Sequence, residues 1–468
     1  MKNRKSLLLK LALLLSLWLP VVSCNTLEIN DLNKGEEEDF FTTRESAFMA
    51  ISGAYVLARR AIVTEAAWAM YSDIRSGLLK LNGPEAEELH NQELHSSQAL
   101  FRTLKDWGRF YKAITQCNVV IEKVGDIKDF ITQEEKNTMI AEARFLRALL
   151  YFNMVRVWGE VPLVTKTSQI DAMSKSPQTD VLDFLVTDLS AISSVLPEAY
   201  LTPNGDEDVS SSIFRGTKGA SLALLAHVHA WKGDYALSQA AVNDVIAMER
   251  YRLHDLENDL ARVFQATTEE NIFAFSSLQN FNSDFEFQNM NADLLSDQIF
   301  FNGKVLSRVE PMDYQGVTAL FSGSDARRGK YFSVDDASET VTYRKSNFPL
   351  INSGFFRYSD LLLLAAEATM ESDPATSEGF LNQVRNRAGL ADYVQADDGT
   401  LKDAIFTERR RELFGEGHDF FDLVRFGKVS EKVATISPAE VRDGIIYWPV
   451  SNEAFENNAL MTQNPFWN

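Results

Sequence analysis

The chain has 468 residues, of which 45% are hydrophobic and 11% aromatic, so it can bury a sizeable core. Its 46 Lys and Arg against 66 Asp and Glu give a formal net charge of −20 at pH 7. A chain this acidic, with no basic stripe, is a poor nucleic-acid binder, because neutralising phosphates needs clustered lysine and arginine. The two cysteines are too few for a disulfide framework or a cysteine-based zinc site.

The first residues have the pattern of a bacterial export signal. Basic residues precede an apolar run, Leu7–Leu19, which is too short to span about 30 Å of hydrocarbon. Val21-Val22-Ser23-Cys24 then resembles a lipoprotein box, whose cysteine receives acyl chains; an ordinary secretory signal is the alternative. We predict a removed signal over 1–23, lipid on Cys24 and a polar tether over 24–40.

Apolar residues spaced three and four apart predict helices through most of the chain. Thr132-Gln-Glu-Glu135 is a capping box that marks the clearest helix start. Four helix pairs that resemble tetratricopeptide units are predicted, over 43–124, 134–196, 218–249 and 355–389. The first pair is divided by a long excursion over 60–100, and its second helix is predicted over Leu104–Val124. Because stacked repeats bury their faces against neighbours, the pattern favours one continuous helical fold.

The region over 265–350 differs from the rest of the chain. It is rich in phenylalanine and tyrosine among Asn, Ser, Asp and Gly, and it shows no sustained helical period. Any strands in it would be short. An irregular aromatic region on a rigid scaffold is the kind of place where binding loops are found.

No catalytic or metal motif stands out. The chain lacks the GxSxG, HExxH, glycine-rich phosphate-loop and EF-hand patterns. His227 and His229 lie two apart on a predicted helix, so they point to different faces. We predict no enzyme, cofactor or metal, although 66 acids leave a glycosidase carboxylate pair open. Cys117 lies in an apolar helical pattern and is predicted to be a buried small hydrophobe.

The densest motif is ERRRELFGEGHDFFDLVRFG, from Glu408 to Gly427. His418 beside acidic residues would suit acid–base chemistry. Glu408, however, lies three residues before Arg411, so the helix surface offers an ion pair. We predict that the motif is a structural network of charged and aromatic side chains.

This motif resembles the C-terminal signature of the SusD/RagB family. Four further stretches resemble the family in chain order, together with the lipoprotein signal: Ala141–Phe152 with Val155–Val164, Phe356–Ala368, Trp448–Glu453 and Gln463–Pro465. The resemblance implies a mainly α, tetratricopeptide-like scaffold with an irregular, loop-rich, short-strand half that binds ligand. It implies an N-terminal helical region over 41–260 and a C-terminal region over 261–468 that includes the irregular insertion 265–350.

The resemblance also implies a function. Family members are lipoproteins at the cell surface of Bacteroidetes-type outer membranes, which capture oligosaccharides and hand them to a SusC-like TonB-dependent transporter. They do no chemistry. RagB-like members bind peptides instead, so a peptide-binding version of the scaffold is the alternative, and a surface glycosidase is disfavoured.

Candidate ligand-binding residues follow from sugar chemistry and from the resemblance. Sugar rings present apolar C–H faces that stack on aromatic side chains, while amides and carboxylates orient hydroxyl groups. Trp68, Tyr71 and Asp73 lie in the excursion where family members place binding residues. Weaker candidates lie in the irregular region: Phe281, Asn282, Asp284, Phe285, Tyr314 and Tyr331.

Overall fold

The structure of the chain is a computed structural model. The residues it describes are 40–81, 83, 85–128, 131–169, 171–256, 263, 268–275, 309–311, 313–321, 323–343, 353–456 and 458–468. The predicted signal over 1–23 and Cys24 lie outside the described residues, as do Phe281, Asn282, Asp284 and Phe285. The roles assigned to these residues stay predictions.

Helices dominate the chain up to residue 250. In chain order the elements are α1 (Arg44–Val63), α2 (Ala67–Met70), β1 (Leu79–Leu81), α3 (Ala86–His90), α4 (Ala99–Lys105), α5 (Gly108–Lys123), α6 (Gln133–Trp158), α7 (Gln178–Ile192), α8 (Val209–Phe214), α9 (Lys218–Lys232) and α10 (Tyr235–Ile246). Two short 3₁₀ turns lie at Thr64–Ala66 and Val124–Asp126.

Short strands and further helices follow. They are β2 (Asn271–Phe275), β3 (Val309–Pro311), α11 (Tyr314–Leu320), α12 (Arg327–Tyr331), β4 (Phe332–Asp335), β5 (Thr340–Tyr343), β6 (Ser353–Arg357), α13 (Tyr358–Thr369), α14 (Pro374–Arg387), α15 (Gln395–Asp398), α16 (Leu401–Glu412), α17 (Asp419–Phe426), α18 (Val429–Lys432) and α19 (Pro438–Asp443). Two 3₁₀ turns at Asn452–Phe455 and Pro465–Trp467 complete the C-terminal part.

The predicted helix pairs form, and each pair packs on the next. α1 packs against α5, α6 against α7, α9 against α10, and α13 against α14. Contacts between α5 and α6, between α7 and α9, and between α10 and α13 join the pairs into one continuous stack. The prediction of a mainly helical scaffold is therefore confirmed.

Helix boundaries follow the local sequence signals, with one exception. The Thr132 side chain accepts the Glu135 N–H at 3.1 Å and the Glu135 carboxylate accepts the Thr132 N–H at 2.9 Å, which is the predicted capping box. Gly159, with φ of 74°, ends α6. The helix predicted over Leu104–Val124 is wrong at its start, because the chain is extended at Asp106 and α4 ends there before α5 begins.

The core runs along the stacked helices. Leu361–Ala366 of α13 are fully buried, as expected of a helix that is apolar on nearly every side. Cys117 of α5 is also fully buried, which confirms the predicted packing role. Among the described residues, one helical stretch, 44–70, is long and apolar enough to cross a membrane. More than half of its most apolar window is buried inside the protein, as in a core helix.

The strands form small antiparallel sheets, each of two strands in the described part of the chain. β1 pairs with β3, β2 with β6, and β4 with β5. Leu79 of β1 lies opposite Pro311 of β3, so the excursion after α1 is joined to the region over 265–350. The Lys80 ammonium group lies 3.4 Å from the Asp313 carboxylate beside this sheet.

Candidate functional site

A buried ion-pair network surrounds Glu412 at the end of α16. Its carboxylate lies 2.5 Å from Arg387, 3.0 Å from Arg357 and 3.1 Å from Arg327. Burial raises the pKa of Glu412, but these guanidinium groups lower it further, so that it lies well below its ordinary value. Arg357 also pairs with Glu270 at 2.6 Å, which ties α16 to the strand β2 region.

A second network joins α13, α16 and α17. The Arg409 guanidinium lies 3.0 Å from Asp360 and 2.8 Å from Asp422. Asp360 also contacts the His227 ring at 2.7 Å. Burial lowers the pKa of His418 to about 4, so this ring is neutral at pH 7. The prediction of a structural network for the Glu408–Gly427 motif is confirmed by these contacts.

The excursion after α1 is docked on this motif by hydrogen bonds. The Asp73 carboxylate accepts the N–H of Gly417 and, at 3.4 Å, the N–H of Asp419. Ser72 Oγ accepts the Phe420 N–H at 3.1 Å. The Arg75 guanidinium stacks 4.0 Å from the centre of the Phe420 ring. The two segments are more than 340 residues apart in sequence and hold each other in place.

Trp68 packs on the glycine of that docked loop. Gly417 has φ of 84°, and a Cβ on it would lie 3.0 Å from Cε3 of the Trp68 ring. Glu65 and Ala66, just before Trp68, adopt φ of 56° and 50°. Left-handed conformations at residues other than glycine cost about 1 kcal/mol or more each and cluster at ligand clamps. The Trp68 side chain is half-buried, so part of it remains at the surface.

Tyr71, Asp73 and Tyr331 are corrections to the sequence prediction. Their exposed fractions are 4%, 0% and 0%, and each is held by protein partners. The Tyr71 hydroxyl donates to the Leu104 carbonyl at 2.7 Å and accepts from Arg109 at 2.8 Å. The Tyr331 hydroxyl donates to the Glu412 carbonyl at 3.3 Å. With 4% or less of their surface exposed, these side chains pack and position the chain rather than present themselves to a ligand.

Tyr314 keeps partial exposure at the start of α11. Its hydroxyl donates to the Asp336 carboxylate at 2.8 Å, and Arg328 donates to the same carboxylate at 2.5 Å. The β1–β3 sheet connects the segment that carries Trp68 with the one that carries Tyr314. Trp68 and Tyr314 therefore remain candidates for ligand contact, Trp68 with the more rigid support.

Sequence reasoning passed over two arginines near the excursion, Arg60 at the end of α1 and Arg109 at the start of α5. Both are half-buried. The signal that would have found them is charge: α1 and α5 each carry a single acidic residue, Glu45 and Glu122, near the opposite end of the helix.

Comparison with known proteins points to one family. The model of the SusD family matches residues 326–467, and a second model, described as starch-binding and associating with the outer membrane, matches residues 69–229. The chain is similar to the SusD family in both regions. The resemblance seen in the sequence is confirmed, from the excursion after α1 to the C-terminal motif.

Curated relatives match most of the chain. A SusD-like protein of Formosa agariphila is 28% identical over 99% of this chain and 99% of its own length. The starch-binding protein SusD of Bacteroides thetaiotaomicron is 23% identical over 75% of this chain and 76% of its own length.

Solved structures of the SusD family share the fold. A SusD superfamily protein of Bacteroides thetaiotaomicron superposes with a TM-score of 0.78 at 24% identity, covering 92% of this chain and 99% of that one. A laminarin binding SusD-like protein superposes with a TM-score of 0.72 at 20% identity, covering 91% and 99%. At these identities the likeness establishes the SusD fold.

Proposed function

We propose that this protein is a lipoprotein of the outer-membrane surface that captures oligosaccharides and delivers them to a SusC-like TonB-dependent transporter. Similarity to the SusD family supports the capture step, since relatives are described as binding starch and laminarin. The lipoprotein box at Cys24 supports the anchor. The transporter partner follows from the family resemblance.

The binding proposal rests on the position of Trp68. Its ring packs against Gly417, and hydrogen bonds to Asp73 and Ser72 hold the loop that contains this glycine. A ring held in this way gives a flat apolar surface that needs no reordering when a sugar stacks on it. The left-handed turn at Glu65 and Ala66 lies just before this ring, and such strained turns cluster at ligand clamps.

Substitution of Trp68 tests the binding proposal. Trp68→Ala removes the stacking surface, and we expect the affinity for the captured oligosaccharide to fall about tenfold, or 1.4 kcal/mol, by isothermal titration of the full chain in detergent. Trp467→Ala is the matched control, because Trp467 is also a half-buried tryptophan. Equal affinities for Trp68→Ala and the unaltered protein would contradict the role of this ring.

Substitution of the predicted acylated cysteine tests the anchor. Cys24→Ser leaves no thiol for the acyl chains, so we expect the protein to be lost from the outer-membrane fraction on cell fractionation. Cys117→Ser is the control, since this buried thiol lies in α5. Retention of Cys24→Ser in the outer membrane would overturn the lipid anchor.

The delivery step is tested separately, by co-purification of the unaltered protein with a TonB-dependent transporter.

A further inference from the structure

The packing of α1 on α5 brings two arginines to one groove. The helices run antiparallel: Gln116 of α5 donates to the Ala50 carbonyl at 3.0 Å, and at the other end Arg109 meets the hydroxyl of Tyr71, which follows α1. A Cβ on Gly53 would lie 3.7 Å from the Gln116 amide nitrogen, so these two positions face each other.

Because of the helical period, Arg60 and Arg109 lie on the same helix faces as Gly53 and Gln116. Arg60 lies seven residues after Gly53 on α1, and Arg109 lies seven residues before Gln116 on α5. Seven residues are about two helical turns, so each arginine shares the face of its partner position. Arg60 and Arg109 therefore line the same end of the α1–α5 groove, and the exposed Lys112 follows one turn along α5.

This end of the groove carries the cations Arg59, Arg60, Arg109 and Lys112, and the acids nearest to them in sequence are Glu65 and Asp106. Glu45 and Glu122 lie roughly 20 Å along the helices from the two arginines, at 1.5 Å per residue. The nearest acid in sequence on the α5 side is Asp106, whose Oδ1 accepts the Gly108 N–H at 2.7 Å. On the α1 side, burial and the charge of Arg60 lower the pKa of the neighbouring Arg59.

Several donors of the two arginines are buried and lack acceptors. Arg60 Nε and Arg109 Nε and Nη1 lie out of contact with solvent and make no hydrogen bond within the part of the chain that the structure describes. Among the described residues, the Arg109 side chain has one hydrogen-bond partner, the Tyr71 hydroxyl, which stays neutral at pH 7 because burial raises the pKa of Tyr71 to about 12. Arg357 and Arg409, by contrast, are each paired with two or more carboxylates.

We propose that Arg60 and Arg109 bind an acidic substituent of the captured glycan, a carboxylate or a sulfate. Either group offers several oxygens to the fork of a guanidinium, which is the geometry that arginine recognises best. The site adjoins the ligand surface, since the Arg60 carbonyl accepts the N–H of Thr64, the residue that opens the strained turn before Trp68. The inference rests on the proposed glycan capture and specifies its substrate class.

Matched acidic and neutral ligands test the inference. Isothermal titration of the full chain in detergent would use oligogalacturonate with its methyl ester, and a sulfated galactan oligosaccharide with its desulfated form. We expect one acidic member to bind at least tenfold more tightly than its neutral partner, with an affinity that falls as NaCl rises. The two pairs separate recognition of carboxylate from recognition of sulfate.

Variants of Arg60 and Arg109 test whether the preference for acidic ligands arises at these two residues. We expect Arg60→Gln and Arg109→Gln each to weaken binding of the acidic ligand about tenfold and to leave the neutral partner unchanged, with Arg60→Lys in between. Arg44→Gln is the control, because it removes an exposed cation from the other end of α1. Circular dichroism of each variant separates loss of binding from loss of fold, and Arg60→Gln leaves the Tyr71 contact in place.

The outcomes separate this inference from the proposed function. Equal binding of the acidic and neutral members, or acidic binding that both glutamine variants retain in full, overturns the acidic-ligand site and leaves glycan capture standing. Binding to none of these four ligands overturns the acidic-ligand site, and glycan capture itself falls only if no member of a broader oligosaccharide panel binds.

Discussion

Asp73 shows how a single buried carboxylate fixes the candidate surface. Burial raises the pKa of Asp73 well above its ordinary value, and the charge of Asp419 adds to this, while the N–H groups of Gly417 and Asp419 oppose it. The contribution of such a carboxylate to stability is fully present below its unfolded pKa of about 3.9 and is lost as pH rises through its folded pKa.

Two substitutions of Asp73 separate its charge from its hydrogen bonds. Asp73→Ala leaves the two N–H groups without an acceptor, so we expect the free energy of unfolding to fall by about 1–3 kcal/mol. Asp73→Asn keeps an acceptor oxygen and removes the titration, so its stability relative to the unaltered protein should rise between pH 4 and pH 7. Urea unfolding at both pH values measures this, and an unchanged pH dependence in Asp73→Asn would contradict the assignment.

The sequence singled out Asp73 but did not predict its role in docking the excursion. Aromatic and acidic residues in an excursion between two helices indicated ligand contact for Trp68, Tyr71 and Asp73. Whether Trp68 and Asp73 face solvent depends on the loop at Gly417, whose position no local pattern encodes. Trp68 packs on Gly417 and keeps some exposed surface, Asp73 is covered by this loop, and Tyr71 is covered by contacts that include Leu104 and Arg109.

At the scale of elements, α16 is held in the stack by buried charge. Glu412 at its end contacts arginines from α12, β6 and α14, so one carboxylate connects four elements. Removing one partner of a buried ion pair leaves the others uncompensated, which costs far more than the loss of a surface pair.

Glu412→Gln tests how much these buried ion pairs stabilise the fold. We expect the free energy of unfolding to fall by about 3–5 kcal/mol at pH 7. Because the folded pKa of Glu412 is depressed, its contribution is present above its ordinary pKa near 4.5 and is lost as pH falls, so the variant should also lose less stability on acidification. Glu431→Gln is the control: its side chain is 55% exposed, and we expect a change below about 1 kcal/mol.

The helices were the most predictable elements, because their signals are local. The capping box at Thr132, Gly159 and the apolar period are all read within a few residues of the helix that they define. The break between α4 and α5 escaped prediction, since the apolar period continues across Asp106 and only tertiary packing shows that the chain is extended there. The groove that places Arg60 opposite Arg109 escaped for the same reason, because register between two helices is a property of the pair.

At the scale of the whole molecule, one helical stack carries a surface built from segments that are distant in sequence. The excursion after α1, the β1–β3 sheet and the motif from Glu408 to Gly427 meet around the stack. The fold class could be predicted because the repeat pattern and the family signature both extend along the chain. The ligand could not, because its chemistry depends on which side chains these segments leave exposed.

The most direct test of glycan capture is the affinity of the purified full chain, in detergent, for a panel of oligosaccharides and a panel of peptides, measured by isothermal titration. The proposed function predicts saturable binding of at least one oligosaccharide, weakened about tenfold by Trp68→Ala and unchanged by Trp467→Ala. Binding to peptides alone, with no oligosaccharide bound, would contradict it.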